Sequence, residues 1–142
     1  LNGSHIGIAF DIELNTNGLR HPIYKGKKNK FCSPAFNFDE VVTLPKNAIL
    51  LASNNINKIS SISFKHEKSE IWGIQYHPEI KYEKMIELIK FRKDRLINQR
   101  KAFKSYDEID HHISLIKNEL SNSEINHRMI ELKNWLGSIN GN

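Results

Sequence analysis

Along residues 6 to 80, apolar positions come in short runs separated by turn-forming residues, the pattern of buried strands joined by loops. Ile6 to Leu14 is the first run, and it gives way to Asn15-Thr16-Asn17-Gly18, a turn signal. Ala48-Ile49-Leu50-Leu51-Ala52 is the second, entered after Pro45-Lys46-Asn47 and left through Ser53-Asn54-Asn55. From Ile59 to Phe64, apolar residues interleave with serines, as in a strand with one wet face. Ile71-Trp72-Gly73-Ile74-Gln75-Tyr76 is the fourth and ends at His77-Pro78-Glu79. Between the first two runs, His21 to Leu44 reads as loop, with Gly26, Pro34 and four lysines; it is either surface or the border of a site.

From Tyr82 onward the period becomes helical. Tyr82, Met85, Ile86, Ile89, Lys93 and Leu96 fall at steps of one, three and four, so one face is apolar apart from Lys93, whose long stem can lie along it. Ser105-Tyr106-Asp107-Glu108 fits a capping box ahead of Ile109, Ile113, Ile116 and Leu120. A second box, Ser121-Asn122-Ser123-Glu124, precedes Met129, Leu132, Trp135 and Leu136, and Gly137 is placed to stop that helix. The pattern predicts a strand-rich piece followed by three helices that pack on it or on each other.

Composition adds limits. The chain has 142 residues, 39% hydrophobic and 26% charged, with a net charge of +5, within the ordinary range of soluble proteins and sufficient for one domain or part of a larger one. It opens on Leu1 rather than Met and runs at once into apolar sequence, so it is expected to start mid-domain. No stretch approaches the ~18 apolar residues of a membrane span, and Leu1-Asn2-Gly3-Ser4-His5 lacks the features of a signal peptide. A cytoplasmic protein without membrane contact is expected. The lone Cys32 excludes an internal disulfide.

Nine basic and three acidic residues lie between Lys81 and Lys104, so one helix carries nearly all the excess charge. Burying large aliphatic side chains is worth roughly 1.5–3 kcal/mol each, against about 0–1 kcal/mol for exposed charge pairs. The apolar stripe should therefore turn inward and the charges face water, which makes nucleic acid a disfavoured partner. His111 and His112 follow Asp110, but adjacent helix positions diverge and a third ligand is lacking; no metal is expected.

The most informative residues are Gln75-Tyr76-His77-Pro78-Glu79-Ile80, where a strand gives way to a helix. Such a His leaves the sheet where α/β folds put their ligands. Pro78 stops the strand, and Glu79 can fold back to accept a hydrogen bond from one imidazole nitrogen, leaving the other to take a proton from a nucleophile. Taken alone, these residue types also suit a surface turn.

The surroundings favour the catalytic pair. Trp72-Gly73-Ile74-Gln75-Tyr76-His77-Pro78-Glu79 resembles the closing motif of class I glutamine amidotransferases, in which an aromatic-Gly-aliphatic-Gln-aromatic strand runs into His-Pro-Glu. Phe38-Asp39-Glu40-Val41-Val42-Thr43-Leu44-Pro45 and Leu50-Leu51-Ala52-Ser53 are similar to the stretch preceding that motif. Gly3 to Ile8 resembles its opening strand, and His21 to Gly26 the segment after it. Glu131 to Leu136 is similar to the ending of stand-alone bacterial members of GMP-synthase type.

The resemblance implies an α/β fold: residues 1–81 as the C-terminal part of a flavodoxin-like amidotransferase sheet domain, and residues 82–142 as a helical C-terminal segment. It implies hydrolysis of the glutamine side-chain amide to glutamate and ammonia by a Cys-His-Glu triad, with His77 as base and Glu79 as its orienting partner. Glutamine is then the substrate, an ammonia-accepting synthetase domain or subunit the partner, and no cofactor is required. Phe36, Asn37 and Asp39 are candidates to border the glutamine, as is Glu40, although Asp39 and Glu40 suit solvated turn charges before a strand equally well; Asn37 stands where relatives commonly have His, and His5 where they have Glu. The nucleophile should sit in a Gly-x-Cys-x-Gly turn, which this sequence lacks. Phe31-Cys32-Ser33-Pro34 has no flanking glycine for that strained turn, so Cys32 is expected to be a small buried hydrophobe and the chain alone to be inactive. Two alternatives are a γ-glutamyl hydrolase of the same superfamily and a binding module built on the basic helix.

Overall fold

A computed structural model of the chain describes residues 4–122 and 124–141. The described residues form strands β1 (His5–Ile6), β2 (Ala9–Leu14), β3 (Lys30–Ser33), β4 (Phe36–Asn37), β5 (Ile49–Ser53), β6 (Ser61–His66) and β7 (Ser69–Ile74). Helix α1 (Thr16–Arg20) follows β2, and α2 (Tyr82–Asn98), α3 (Tyr106–Asn122), α4 (Ile125–Arg128) and α5 (Ile130–Asn140) follow the last strand. The main sheet has the order β3-β2-β5-β6-β7 with antiparallel neighbours throughout, and β1 pairs separately with β4.

The four apolar runs correspond to strands, with one break. Ile6 to Leu14 is not continuous: Gly7, at φ 84°, turns the chain out of β1 before β2 begins. A Cβ at Gly7 would lie 2.7 Å from the Ile89 δ-carbon and 2.8 Å from that of Ile116, so both backbone angle and helix approach demand glycine. Asn15 to Gly18 is not a turn but the start of α1, because Asn15 Oδ1 accepts the Gly18 N–H at 2.9 Å and caps the helix. The stretch from His21 to Leu44 is more ordered than a loop, containing a 3-10 turn (Pro22–Tyr24), β3 and β4. In β3, Phe31 and Ser33 are buried and Lys30 exposed, an alternation too short to register as a strand in the sequence.

The helices divide similarly. At α3, Ser105 Oγ accepts the Glu108 N–H at 3.3 Å, while the Glu108 carboxylate accepts from the Lys104 N–H at 2.6 Å, one residue before the expected partner. The second expected box does not form. Helix α3 runs on through Ser121 and Asn122, whose side chains both donate to Asn118 O, and Ser123 lies outside the described residues. Glu124 precedes α4 without a side-chain capping bond. Gly137 does not end the last helix; α5 continues to Asn140, carrying glycine at the usual cost of about 1 kcal/mol. Nor is the expected tail stripe the buried face: Trp135 and Leu136 are about half exposed, while Glu131 is 1% exposed.

Two apolar clusters hold these elements. Ile6 and Ile8 pack with Tyr82, Ile86, Ile89 and Leu96 of α2 and with Ile109, Ile113 and Ile116 of α3. Ala9, Ile12, Tyr24, Phe31, Leu51, Ala52 and Tyr76 form the second, against the sheet. The stripe of α2 thus turns inward as its spacing predicts, and its exposed charges find local partners: Lys84 pairs with Glu87, and the Lys93 ammonium lies 5.1 Å from the Tyr106 ring. Among the described residues no helix is long and apolar enough to cross a membrane.

Candidate active site

The second cluster ends at Tyr76, which fixes where the next residue emerges. Gln75 N donates to Ser60 O at 2.9 Å, and its side-chain amide, oriented with nitrogen toward Ile59 O and oxygen toward Val41 N as those partners require, bridges the two at 3.3 and 3.2 Å. His77 N then donates to Pro34 O at 2.7 Å, and Pro78 is fully buried, so the chain leaves the sheet at a defined point. His77 Nδ1 lies 2.8 Å from Glu79 Oε1, with the two side chains 43% and 50% exposed. A neutral imidazole that donates from Nδ1 to a carboxylate presents Nε2 as an acceptor, and among the described residues the ring has no other hydrogen bond.

Beneath this turn lies a buried polar network. Tyr76 OH donates to Glu131 Oε1 at 2.9 Å and is 2.7 Å from Tyr24 OH. Glu131 Oε2 accepts from Lys27 Nζ at 2.9 Å, both side chains being 1% exposed. Lys27 also donates to His127 O at 2.8 Å and lies 4.4 Å from the Phe31 ring. Burial pushes the Tyr24 and Tyr76 phenols well above their ordinary range and the Lys27 ammonium below its own. Arg128 donates from Nη1 to Pro78 O and, at 3.0 Å, to Ile80 O. The tail is further fastened by Asn134, whose amide donates to Ile23 O and Lys25 O.

The segment implied to border the substrate lies close by in the chain's hydrogen bonding. Pro34, which receives His77 N, precedes β4 by two residues, and Val41 is held by Gln75. Phe36 packs edge-on against Phe38, beneath the Arg92 guanidinium at 5.3 Å. Asn37 donates to Asp39 O at 2.7 Å, and Asp39 itself is exposed. Glu40 accepts from Asn57 at 3.5 Å, in a cluster where Asn54 Nδ2 approaches the buried His5 ring. Cys32 sits half-buried in β3 against the first apolar cluster, its thiol pushed up to about 11 by burial, which leaves negligible thiolate at neutral pH.

Four histidines, His5, His21, His112 and His127, have pKa values lowered from 6.5, in each case chiefly by burial. His112, for example, gives its ring N–H to Ile6 O at 2.6 Å, a bond that only partly offsets its desolvation. The unfolded chain binds more protons than the folded one once pH falls below 6.5, so stability is full above that value and drains away as pH drops toward the folded pKa values. Thermal melts should fall between pH 7.5 and 5.5, with a shallower fall for His112→Gln; a flat profile would contradict the burial of these rings.

The chain matches no family model. Over 72 residues, 51% of its length, it is 39% identical to a gamma-glutamyl-L-1-hydroxyisopropylamide hydrolase of a Pseudomonas species, covering 24% of that protein. Over 74 residues it is 43% identical to a glutamine-hydrolyzing GMP synthase subunit of Methanosphaera stadtmanae, covering 37% of it. The structure superposes on a glutamine amidotransferase of Thermotoga maritima with a TM-score of 0.61 and 17% identity, over 97% of this chain and 51% of that one. The fold is that of a glutamine amidotransferase. The chain spans about a quarter to two fifths of the curated relatives named and about half of the solved structure.

In this amidotransferase fold, sequence reasoning found the His77–Glu79 pair but missed Lys27, Arg128 and Glu131. No local signal marked them: the apolar spacing of the tail puts Met129, Leu132, Trp135 and Leu136 inward, and the burial of Arg128 and Glu131 is explained only by partners far along the chain.

Proposed function

We propose that this chain is the C-terminal part of a class I glutamine amidotransferase that hydrolyses the glutamine side-chain amide through a Cys-His-Glu triad. The observation that carries the reading is the 2.8 Å contact between His77 Nδ1 and Glu79 Oε1 where the chain leaves β7. In this mechanism His77 Nε2 takes the thiol proton, the thiolate attacks the amide carbonyl, and the imidazolium returns the proton to the departing ammonia. Water then cleaves the thioester with His77 again as base, while Glu79 holds the ring and offsets its charge. The nucleophile comes from sequence outside this chain, and residues 1–81 and 82–142 correspond to the sheet part and the helical segment of the enzyme. Phe36, Asn37 and Asp39 border the glutamine, and the ammonia passes to a synthetase domain or subunit in the cytoplasm.

The test is ammonia release from glutamine. The purified 142-residue chain should give none above a His77→Ala control, because its own thiol is held protonated in β3. Turnover above that control would mean that Cys32 is the nucleophile.

A second reading, hydrolysis of γ-glutamyl amides without an ammonia acceptor, is supported by the 39% identity to the Pseudomonas hydrolase. A panel of γ-glutamyl amides against glutamine separates the two. The binding-module reading has less support, since Lys93 and Arg100 lie over Tyr106 and Phe38 and Arg92 over Phe36, within the fold's own surface.

A further inference from the structure

We propose that Arg128 is a positioning residue for the catalytic pair, holding the His-Pro-Glu turn by the carbonyls on either side of Glu79; the proposal rests on the triad reading above. The turn has two anchors. On the sheet side His77 N donates to Pro34 O at 2.7 Å, and on the tail side Arg128 Nη1 donates to Pro78 O and to Ile80 O. Within the turn Ile80 N donates to His77 O at 3.1 Å. Pro78 has no N–H with which to tie down its own peptide, so Ile80 N, through His77 O, and the Pro78 and Ile80 carbonyls, through Arg128, fix the backbone around Glu79.

Glu79 is itself half exposed and reaches His77 through a single hydrogen bond. Among the described residues His77 is the only group bonded to the carboxylate, so the backbone beneath it sets the angle of the side chain. A guanidinium suits this task because it stays charged and is planar, and charge-assisted bonds to carbonyls are stronger than neutral ones. Arg128 is 9% exposed, so water competes little with it for those oxygens. It ends α4, three residues before Glu131, which is itself locked to Lys27 and Tyr76. The tail thus reaches the catalytic pair along two routes, at Tyr76 just before His77 and at the carbonyls around Glu79.

The experiment uses the full-length enzyme that contains this chain, with Arg128→Met, which keeps the apolar stem, Arg128→Lys, which keeps the charge, and Asn134→Ala, which loosens the tail without touching the turn. Two readouts are taken: kcat and KM for glutamine, and the 15N signals of the His77 ring, assigned with His77→Ala. Misplacing a catalytic group by about an ångström costs up to ~100-fold. Arg128→Met should lower kcat about 10- to 100-fold with KM within about twofold, and should erase the Nδ1–H signature of the His77 ring. Arg128→Lys should restore part of both, and Asn134→Ala should lower Tm while leaving both in place. The proposal fails if Arg128→Met keeps the wild-type ring signals, if Asn134→Ala disturbs them equally, or if neither Arg128 variant folds, which would make Arg128 a folding residue. A wild-type enzyme inert toward glutamine would sink the triad reading instead, and the ring signals would still decide the role of Arg128.

Discussion

On the proposed triad, in a protein that joins this chain to the nucleophile, His77→Ala is expected to lower kcat for glutamine hydrolysis by about 10²–10⁴-fold, the range in which a positioned acid and base contributes. Both proton transfers run through the same ring, so the loss should fall on kcat and kcat/KM alike while glutamine still binds. Glu79→Gln should cost less, toward the lower end of that range. The amide can still offer an oxygen to His77 Nδ1, but it can equally offer N–H, and it no longer balances the imidazolium. Because the pair is 43% and 50% exposed, water also compensates in part. Steady-state kinetics on both variants check this. Equal activity in His77→Ala and wild type would remove His77 from the mechanism.

Glu131→Ala should be the most damaging substitution for stability, costing about 3–5 kcal/mol, because it strands a buried cation. Among the described residues Lys27 would keep only the His127 carbonyl and the Phe31 ring, with a side chain 1% exposed, and Tyr76 would lose its carboxylate acceptor. Against a typical total of about 5–15 kcal/mol, that is a large fraction. Replacing both partners, Lys27→Met with Glu131→Leu, should recover most of the loss, since the desolvation of both charges disappears together. Urea melts of the single and double variants measure the difference. A single-variant loss below about 1 kcal/mol would place the pair in the class of exposed ion pairs.

The sheet's strands β5, β6 and β7 and the helices α2 and α3 were legible because each carries its own period: Leu51 and Ala52 in a buried run, Ser61 and Ser63 alternating with Ile62 and Phe64, and Ile86, Ile89 and Leu96 along one helix face. In β6, however, the period gave the wrong face, since the serines expected to be wet are buried and Ile62 and Phe64 are the partly exposed side chains. The break at Gly7 was not, because its cause is the close approach of Ile89 and Ile116, far along the chain. Asn15 was ambiguous for another reason: residues that make turns also cap helices, and only the bond to Gly18 N distinguishes the two. The same division holds at the site. His77 and Glu79 are two residues apart, and the motif around them is local. Lys27 and Glu131 are 104 residues apart, and each in its own neighbourhood reads as an ordinary surface charge.

The contacts that complete the site also set an order of events during synthesis. Arg128 grips carbonyls 48 and 50 residues before it. At the usual ~5–20 residues per second, the ribosome adds those residues in about 3–10 s, during which the His-Pro-Glu turn exists without its tail-side anchor. On the proposed function, glutamine hydrolysis would be withheld from the nascent chain until the tail has been made, and premature termination anywhere before Arg128 would release a turn that carries His77 and Glu79 without the cation that holds its carbonyls.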